Sequence, residues 1–245
     1  MRALVVVLCG LLATGQVAAA PSALVAEARE WVARYHEDPA HLDALRGRLA
    51  EAVKAEPDVD TLVALAHVCF LSGDVRARSR DEKLLAYDEG RQAARRAVAQ
   101  APDNALAHFW YATNTARWGQ TRGIVRSLFL LSSVRQEIDT VLRLDPRFVP
   151  VYSLAGYVDY EVPSALGGDV ARAERMFRAG LAIDPRFTGL RVGLAKALIK
   201  EGRAGEARRE LDAVLAEKAP ANLADWTVKD RVEARQLLES LATGR

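Results

Sequence analysis

The pentapeptides Leu144-Asp145-Pro146-Arg147-Phe148 and Ile183-Asp184-Pro185-Arg186-Phe187 decide how this sequence is interpreted. Each follows an amphipathic stretch with helical periodicity and precedes another. Proline ends a helix because it lacks an amide hydrogen and restricts the residue before it. The phenylalanine two positions later can begin the packing of the next helix. The pentapeptides therefore predict boundaries between pairs of helices, 39 residues apart.

The spacing of the prolines extends this pattern over most of the chain. Successive helical pairs are predicted to end at Pro57, Pro102, Pro146, Pro185 and Pro220. The separations of 45, 44, 39 and 35 residues are close to, and mostly longer than, the roughly 34-residue tetratricopeptide (TPR) period. Hydrophobic residues make up 50% of the chain, with few prolines and glycines, which favours helices. We therefore expect an all-α protein.

Two of the pairs resemble the TPR consensus, which runs W-x2-L-G-x2-Y, then A-x3-F, then a proline. The third pair matches it at Tyr152, Ala155, Gly156, Ala173, Phe177 and Pro185, and the fourth at Leu194, Ala195, Leu198, Ala207, Leu211 and Pro220. The first two pairs match more loosely. The resemblance implies a right-handed α-solenoid of about four to five TPR-like helical hairpins. We predict an N-terminal hairpin over 20–58, four repeats over 60–220 and a capping helix over 221–245.

The first 19 residues have the features of a secretory signal peptide. Arg2 supplies a positive charge, Ala3 to Ala13 is an apolar run, and Val17-Ala18-Ala19 offers small residues for cleavage. The run is barely half of the roughly 20 apolar residues that a membrane-spanning helix requires. A lipoprotein is disfavoured because the residue before Cys9 is a leucine, where a small residue is preferred. We expect cleavage after Ala19 and a secreted or periplasmic protein without stable membrane insertion.

Composition and single residues argue against several functions. Loss of Arg2 reduces 34 lysines and arginines to 33, against 32 acidic residues, and a net charge of +1 does not suggest nucleic acid. Cys69 becomes the single cysteine, so an internal disulfide is excluded. His36 and His41 flank a proline in poor geometry for a metal. We expect no enzyme activity, no metal and no cofactor.

In TPR proteins the first helix of each pair lines a concave groove, and the resemblance places aromatic and basic side chains on that surface. The predicted groove residues are Phe70, Phe109, Trp110, Arg117, Tyr157, Tyr160, Glu161, Lys196 and Lys200. Aromatic residues in the middle and lysines at one end suit a polypeptide with apolar anchors and an acidic group. The alternative is that several of these aromatic residues belong to the core.

A second candidate site has four residues at helical spacing: Trp110, Asn114, Arg117 and Trp118. Positions i, i+4, i+7 and i+8 share one helical face, and an indole, an amide and a guanidinium together suit a small polar ligand. The alternative is that the asparagine and the arginine bond to backbone groups near the insertion that follows.

The third candidate is an apolar stretch, Leu128, Phe129, Leu130 and Leu131. It lies in the segment from Gly119 to Pro146, which is longer than one repeat requires. If this stretch is exposed, we expect it to support self-association or a partner. If it folds back, it is core.

Several motifs together resemble the T component of TRAP transporters, a periplasmic TPR family. They are the helix containing Trp110 and Tyr111, the stretch Gly119-Gln120-Thr121-Arg122-Gly123, the loop 162–169 and the two pentapeptides. The resemblance implies an accessory role in solute transport. It also implies a periplasmic solute-binding protein as partner and possible homo-oligomers around a central opening.

Overall fold

The structure, a computed structural model, describes residues 22–243. The predicted leader over residues 1–19 lies outside this part of the chain. The helices are α1 (Ala23–Ala33), α2 (His41–Ala55), α3 (Val59–Leu71), α4 (Arg80–Gln100), α5 (Ala105–Arg122), α6 (Ile124–Leu144), α7 (Val149–Glu161), α8 (Val170–Ile183), α9 (Thr188–Lys200), α10 (Ala204–Ala216), α11 (Leu223–Asp225) and α12 (Arg231–Thr243). Short π-helical turns at Ser72–Arg76 and Trp226–Asp230, and a 3-10 turn at Ser164–Leu166, lie between them.

The helices pair as five consecutive hairpins, from α1 with α2 to α9 with α10, and each hairpin packs on the next. The C-terminal helix α12 packs on α10 and contributes Ala234, Leu237, Leu238 and Leu241 to the hydrophobic core. The predicted all-α solenoid of TPR-like hairpins with a capping helix is confirmed. Within residues 22–243, no helix has the length and apolar character needed to cross a membrane.

Both pentapeptides form the same turn. The carboxylate of Asp145 accepts a hydrogen bond from the backbone amide of Arg147 at 3.0 Å, and Asp184 accepts one from Arg186 at 2.9 Å. In each turn the amide of the phenylalanine donates to the aspartate carbonyl at 3.2 Å. Aspartate is favoured here because its short side chain bonds to the backbone two residues later. The predicted boundaries are confirmed.

Close approach between the fourth and fifth hairpins depends on two glycines. The ring of Phe177 in α8 is fully buried and lies between Gly156 in α7 and Gly193 in α9. A Cβ atom added at Gly156 would lie 2.4 Å from this ring, and one at Gly193 would lie 2.5 Å from it. Protein interiors are packed too tightly to absorb such an overlap. Glycine at these positions therefore lets α7, α8 and α9 share one aromatic side chain.

The backbone breaks the helical pattern at two places. Helix α5 ends at Arg122 and is separated from α6 by Gly123, whose φ of +114° is accessible mainly to glycine. The capping helix predicted over 221–245 is interrupted by the π-helical turn Trp226–Asp230. The interruption coincides with long-range contacts between this turn and α9.

Candidate functional site

The first helices of the hairpins, α3, α5, α7 and α9, contact one another in series and form the inner face of the solenoid. Trp110 of α5 forms the centre of an aromatic floor on this face. Its ring stacks on His67 of α3 with centroids 3.9 Å apart and also contacts Phe70 and Phe109. Burial lowers the pKa of His67 to about 4, and Lys229 acts in the same direction. The floor is therefore uncharged at neutral pH.

Asp74, in the turn after α3, holds two cations at one end of this floor. Its carboxylate accepts a hydrogen bond from the Lys229 ammonium at 2.5 Å and lies 3.4 Å from the Arg117 guanidinium. Burial alone would raise the pKa of Asp74, but the two cations outweigh it and lower that pKa below its usual value. The pKa values of Arg117 and Lys229 are raised in turn, because nearby carboxylates outweigh the cost of burial. All three groups are ionised at neutral pH.

Lys229 belongs to a segment that runs across the inner face. We call residues 222–243 the C-terminal segment. Tyr35, after α1, donates a hydrogen bond to Asp225 of this segment at 2.6 Å, across 190 positions of sequence. Thr188 at the start of α9 donates to Asp230 at 2.6 Å. The segment thus connects the first hairpin with the last, and it lies in the groove that the sequence predicts to bind a polypeptide.

The other end of the groove is basic and aromatic. Lys196 of α9 forms an ion pair with Glu233 of the C-terminal segment at 2.8 Å. Its ammonium also lies 5.2 Å from the centroid of the Tyr157 ring and 5.7 Å from that of Tyr160. The Lys200 ammonium lies 4.8 Å from the Tyr160 ring. Such cation–π contacts orient the lysines over the tyrosines.

Comparison with known proteins places this architecture in a family. The family model for regulator of microtubule dynamics protein 1-3 matches residues 24–166, from α1 to the loop after α7. The chain belongs to this RMD family. A tetratricopeptide repeat model matches residues 166–225. The part of the C-terminal segment from Trp226 onward lies beyond both matches.

Solved structures support the same fold. The chain is 21% identical to a thermophilic TPR protein of Thermus thermophilus, with a TM-score of 0.66, covering 88% of this chain and 97% of that one. It is 17% identical to PilF of Pseudomonas aeruginosa, with a TM-score of 0.56 and 90% of each chain covered. These identities establish the fold alone. A search of curated proteins found no match. The chain is therefore a TPR-type member of the RMD family, and the specific resemblance to TRAP T components stays a prediction.

Most of the predicted groove residues lie together on the inner face of this RMD family member. Phe70, Trp110 and Arg117 surround Asp74 and Lys229, and the Arg117 guanidinium lies 5.9 Å from the Phe70 ring. Tyr157, Tyr160, Lys196 and Lys200 form the basic end. Glu161 is exposed and accepts a hydrogen bond from Gln120. Phe109 is buried, and its ring packs edge-on against Trp110 and Phe148.

The four residues predicted to share a small-ligand pocket are separated by the structure. Asn114 is fully buried and donates hydrogen bonds to the carbonyls of Ala66 and Trp110 at 3.1 and 2.9 Å. Trp118 faces α4 and lies beneath three guanidinium groups, those of Arg91, Arg122 and Arg126. Positions that share one side of a helix still span an arc wide enough to contact two neighbours. Trp110 and Arg117 therefore face the groove, whereas Asn114 and Trp118 face the α3–α4 hairpin.

The side chains of the predicted apolar stretch, residues 128–131, also lie in different surroundings. Phe129 is 78% exposed, next to the exposed Ile124 and Val125 at the start of α6. Leu130 instead packs towards Gly119 of α5, where an added Cβ atom would lie 3.2 Å from its methyl group. Leu128 and Leu131 are half-buried. The stretch thus combines the two alternatives left open by the sequence, with Phe129 exposed and Leu130 packed, and self-association through it stays a prediction.

Four important groups on the inner face do not follow from the TPR register: Tyr35, Asp74, Thr188 and the C-terminal segment. The first three belong to a turn or a helix end, and the segment follows the last repeat, so the TPR consensus gives no information on any of them. The one available signal was the placement of Asp225, Lys229 and Asp230 in a stretch predicted to be an ordinary capping helix. Among residues 22–243, no group of three or more His, Cys, Asp and Glu side chains is arranged to hold a metal.

Proposed function

We propose that this protein is a non-catalytic TPR scaffold that binds a polypeptide along its concave face. One observation carries the proposal: the groove already accommodates a helical segment of polypeptide, which is the chain's own C-terminal segment. Helix-in-groove binding combines an apolar floor with polar groups that fix the register. Trp110, Phe70 and Tyr157 supply the floor, and Lys196 and Asp74 supply the charges.

The ionisable groups of the groove fit binding better than catalysis. Asp74 is paired with Lys229 and Arg117, and Lys196 is paired with Glu233. Burial raises the pKa of Cys69 well above its usual value, so the thiol is not a ready nucleophile. Within the described residues, the charged groups of the groove are thus placed to pair with charges on a bound polypeptide.

The finer proposal is that the protein is exported and assists a periplasmic transport system by binding its solute-binding protein. It rests on the leader-like residues 1–19 and on the sequence resemblance to TRAP T components. Fractionation of cells that express the chain with and without residues 1–19 tests the location. Equal retention of both forms in the cytoplasm would contradict export.

The groove itself is tested by crosslinking and pull-down with the mature protein and two charge-reversal variants. Lys196→Glu changes the basic end of the groove, whereas Arg208→Glu makes the same change at an exposed position of α10. We expect the polypeptides captured by the unmodified protein to be lost with Lys196→Glu and kept with Arg208→Glu. Equal capture by both variants would place binding elsewhere and contradict the proposal.

A further inference from the structure

The C-terminal segment contacts the groove through charged side chains with a regular spacing. Asp225, Lys229, Asp230 and Glu233 are at positions i, i+4, i+5 and i+8, within and on either side of the π-helical turn Trp226–Asp230. Their partners in the groove are, in the same order, Tyr35, Asp74, Thr188 and Lys196. The three carboxylates of the segment thus bond to two hydroxyl groups and one ammonium of the groove. The one ammonium of the segment bonds to a carboxylate of the groove.

These contacts hold the middle of the segment mainly by polar interactions. Val228 and Val232, on the same stretch, are 39% and 43% exposed. The apolar anchors lie to either side: Trp226 packs in the core and donates to the Val214 carbonyl at 2.9 Å, and α12 packs on α10. A polar group that leaves the groove regains hydrogen bonds with water at little net cost in free energy. An apolar side chain that leaves the core loses the full free energy of its burial. The stretch between the anchors is therefore the part that another chain can replace.

One contact in this stretch is poorly compensated. Asp230 accepts a hydrogen bond from Thr188, but its other charged neighbours include the carboxylates of Asp225 and Glu233. Lys229 lies near enough to act on Asp230, but its ammonium bonds to Asp74 and Asp225. A buried carboxylate without a cation in contact opposes its own burial. The segment is thus complementary to the groove without being bound as tightly as its charges would allow.

We infer that residues 227–233, between the apolar anchors, act as an internal ligand of the groove, and that the external partner is a helical segment with the charge spacing of Lys229, Asp230 and Glu233. That segment carries an ammonium, a carboxylate at the next position and a second carboxylate four positions after the ammonium. This inference rests on the proposed function. The partner binds by displacing residues 227–233, so its apparent affinity is lower the larger the fraction of molecules in which the internal ligand occupies the groove.

The test uses the full chain and, as probe, a fluorescently labelled synthetic peptide of residues 222–243. Lys229→Gln in the chain removes the ammonium that the segment donates to Asp74 and leaves the groove residues unchanged. We expect this variant to bind the peptide at least tenfold more tightly than the unmodified chain. Arg235→Gln is the matched control, because Arg235 lies on the same segment but is exposed. It is expected to leave peptide binding unchanged.

The reciprocal change makes the test specific for the charge pattern. A peptide that itself carries Lys229→Gln should bind the Lys229→Gln chain at least tenfold more weakly than the natural peptide does. Glu233→Gln in the chain provides a second opening variant, through loss of the ion pair with Lys196. Circular dichroism and thermal unfolding establish that each variant is folded.

Unchanged peptide binding by both folded opening variants, or equal binding of the natural and the altered peptide, would overturn the inference. The proposed function has a separate outcome. If the peptide fails to bind but capture of a polypeptide still depends on Lys196, the groove is a binding site and the internal-ligand inference alone is wrong. If neither depends on the groove, both are wrong.

Discussion

Two regions of this protein are held together by opposite means. Around Phe177, helices α7, α8 and α9 meet through a fully buried ring and two glycines, and the contact is apolar. Around Asp74, the C-terminal segment meets the groove through ion pairs and hydrogen bonds. The first contact fixes the geometry of the solenoid, because any change in the volume of the side chains there displaces three helices. The second has specific partners, and the attraction between its charges is offset in part by the cost of removing them from water.

Removal of the Phe177 ring gives the largest effect expected from this comparison. Phe177→Ala leaves a cavity shared by three helices and should lower the free energy of unfolding by about 3–5 kcal/mol. Urea denaturation measures it. Phe129→Ala is the control, since this phenylalanine is 78% exposed and its loss should change stability by about 0.5 kcal/mol or less. Similar losses in the two variants would mean that the buried ring does not fix the geometry.

A smaller effect is expected from added volume at the same place. Gly156→Ala puts a methyl group within 2.4 Å of the Phe177 ring and should cost about 1–3 kcal/mol. Gly47→Ala, in the middle of α2, meets no atom within 4 Å and should stabilise by up to about 1 kcal/mol through helix propensity. Thermal unfolding compares the two, and a stabilised Gly156→Ala would contradict the tight contact.

The smallest effect concerns the polar region and depends on pH. Burial raises the pKa of Asp230 to about 6 from an ordinary value of 3.8, and the neighbouring Asp225 adds to this shift. Between these values the folded chain holds more protons than the unfolded chain, so the contribution of Asp230 to stability falls as pH rises through this window. Asp230→Asn should therefore gain up to about 2 kcal/mol relative to the unmodified protein between about pH 4 and pH 6.5.

The pH dependence of stability also contains a contribution from His67, so it must be compared between the unmodified protein and Asp230→Asn. The pKa of His67 is lowered to about 4 by burial, so its contribution to stability rises with pH from about 4 to the ordinary value of 6.5 and opposes that of Asp230. The difference between the two proteins removes the His67 contribution, which both share. Urea titrations at several pH values measure this difference, and one that does not vary with pH would show that Asp230 is not buried as a carboxylate.

The sequence predicts the region around Phe177 well, because its signals are local. The Asp-Pro turns, the spacing of Ala173 and Phe177, and Gly156 opposite them all lie within a single repeat. A repeat unit that cannot bury its own apolar face must stack on a neighbour, so the solenoid follows from the pattern. The partners of Asn114 and Trp118 were not predicted because helical spacing identifies a shared face and leaves the neighbouring helix unspecified.

The groove was predicted only in part, for a different reason. Its aromatic and basic residues follow from the TPR register. The position of the C-terminal segment in the groove does not follow from this register, because Tyr35 and Asp225 are 190 positions apart and no local motif connects them. The π-helical turn Trp226–Asp230 also has no clear sequence signature, so the segment was predicted to be a regular capping helix.

The contact between Tyr35 and Asp225 changes how the whole array behaves. In an open row of repeats each unit contacts only its nearest neighbours, so the row can fray from either end. Here the C-terminal segment contacts the first hairpin, so separation of the two breaks the hydrogen bond between Tyr35 and Asp225. The bridge raises the average sequence separation of contacts, which slows folding. Loss of the contact between Tyr35 and Asp225 would restore the behaviour of an ordinary repeat array, in which the first and the last hairpin can loosen separately.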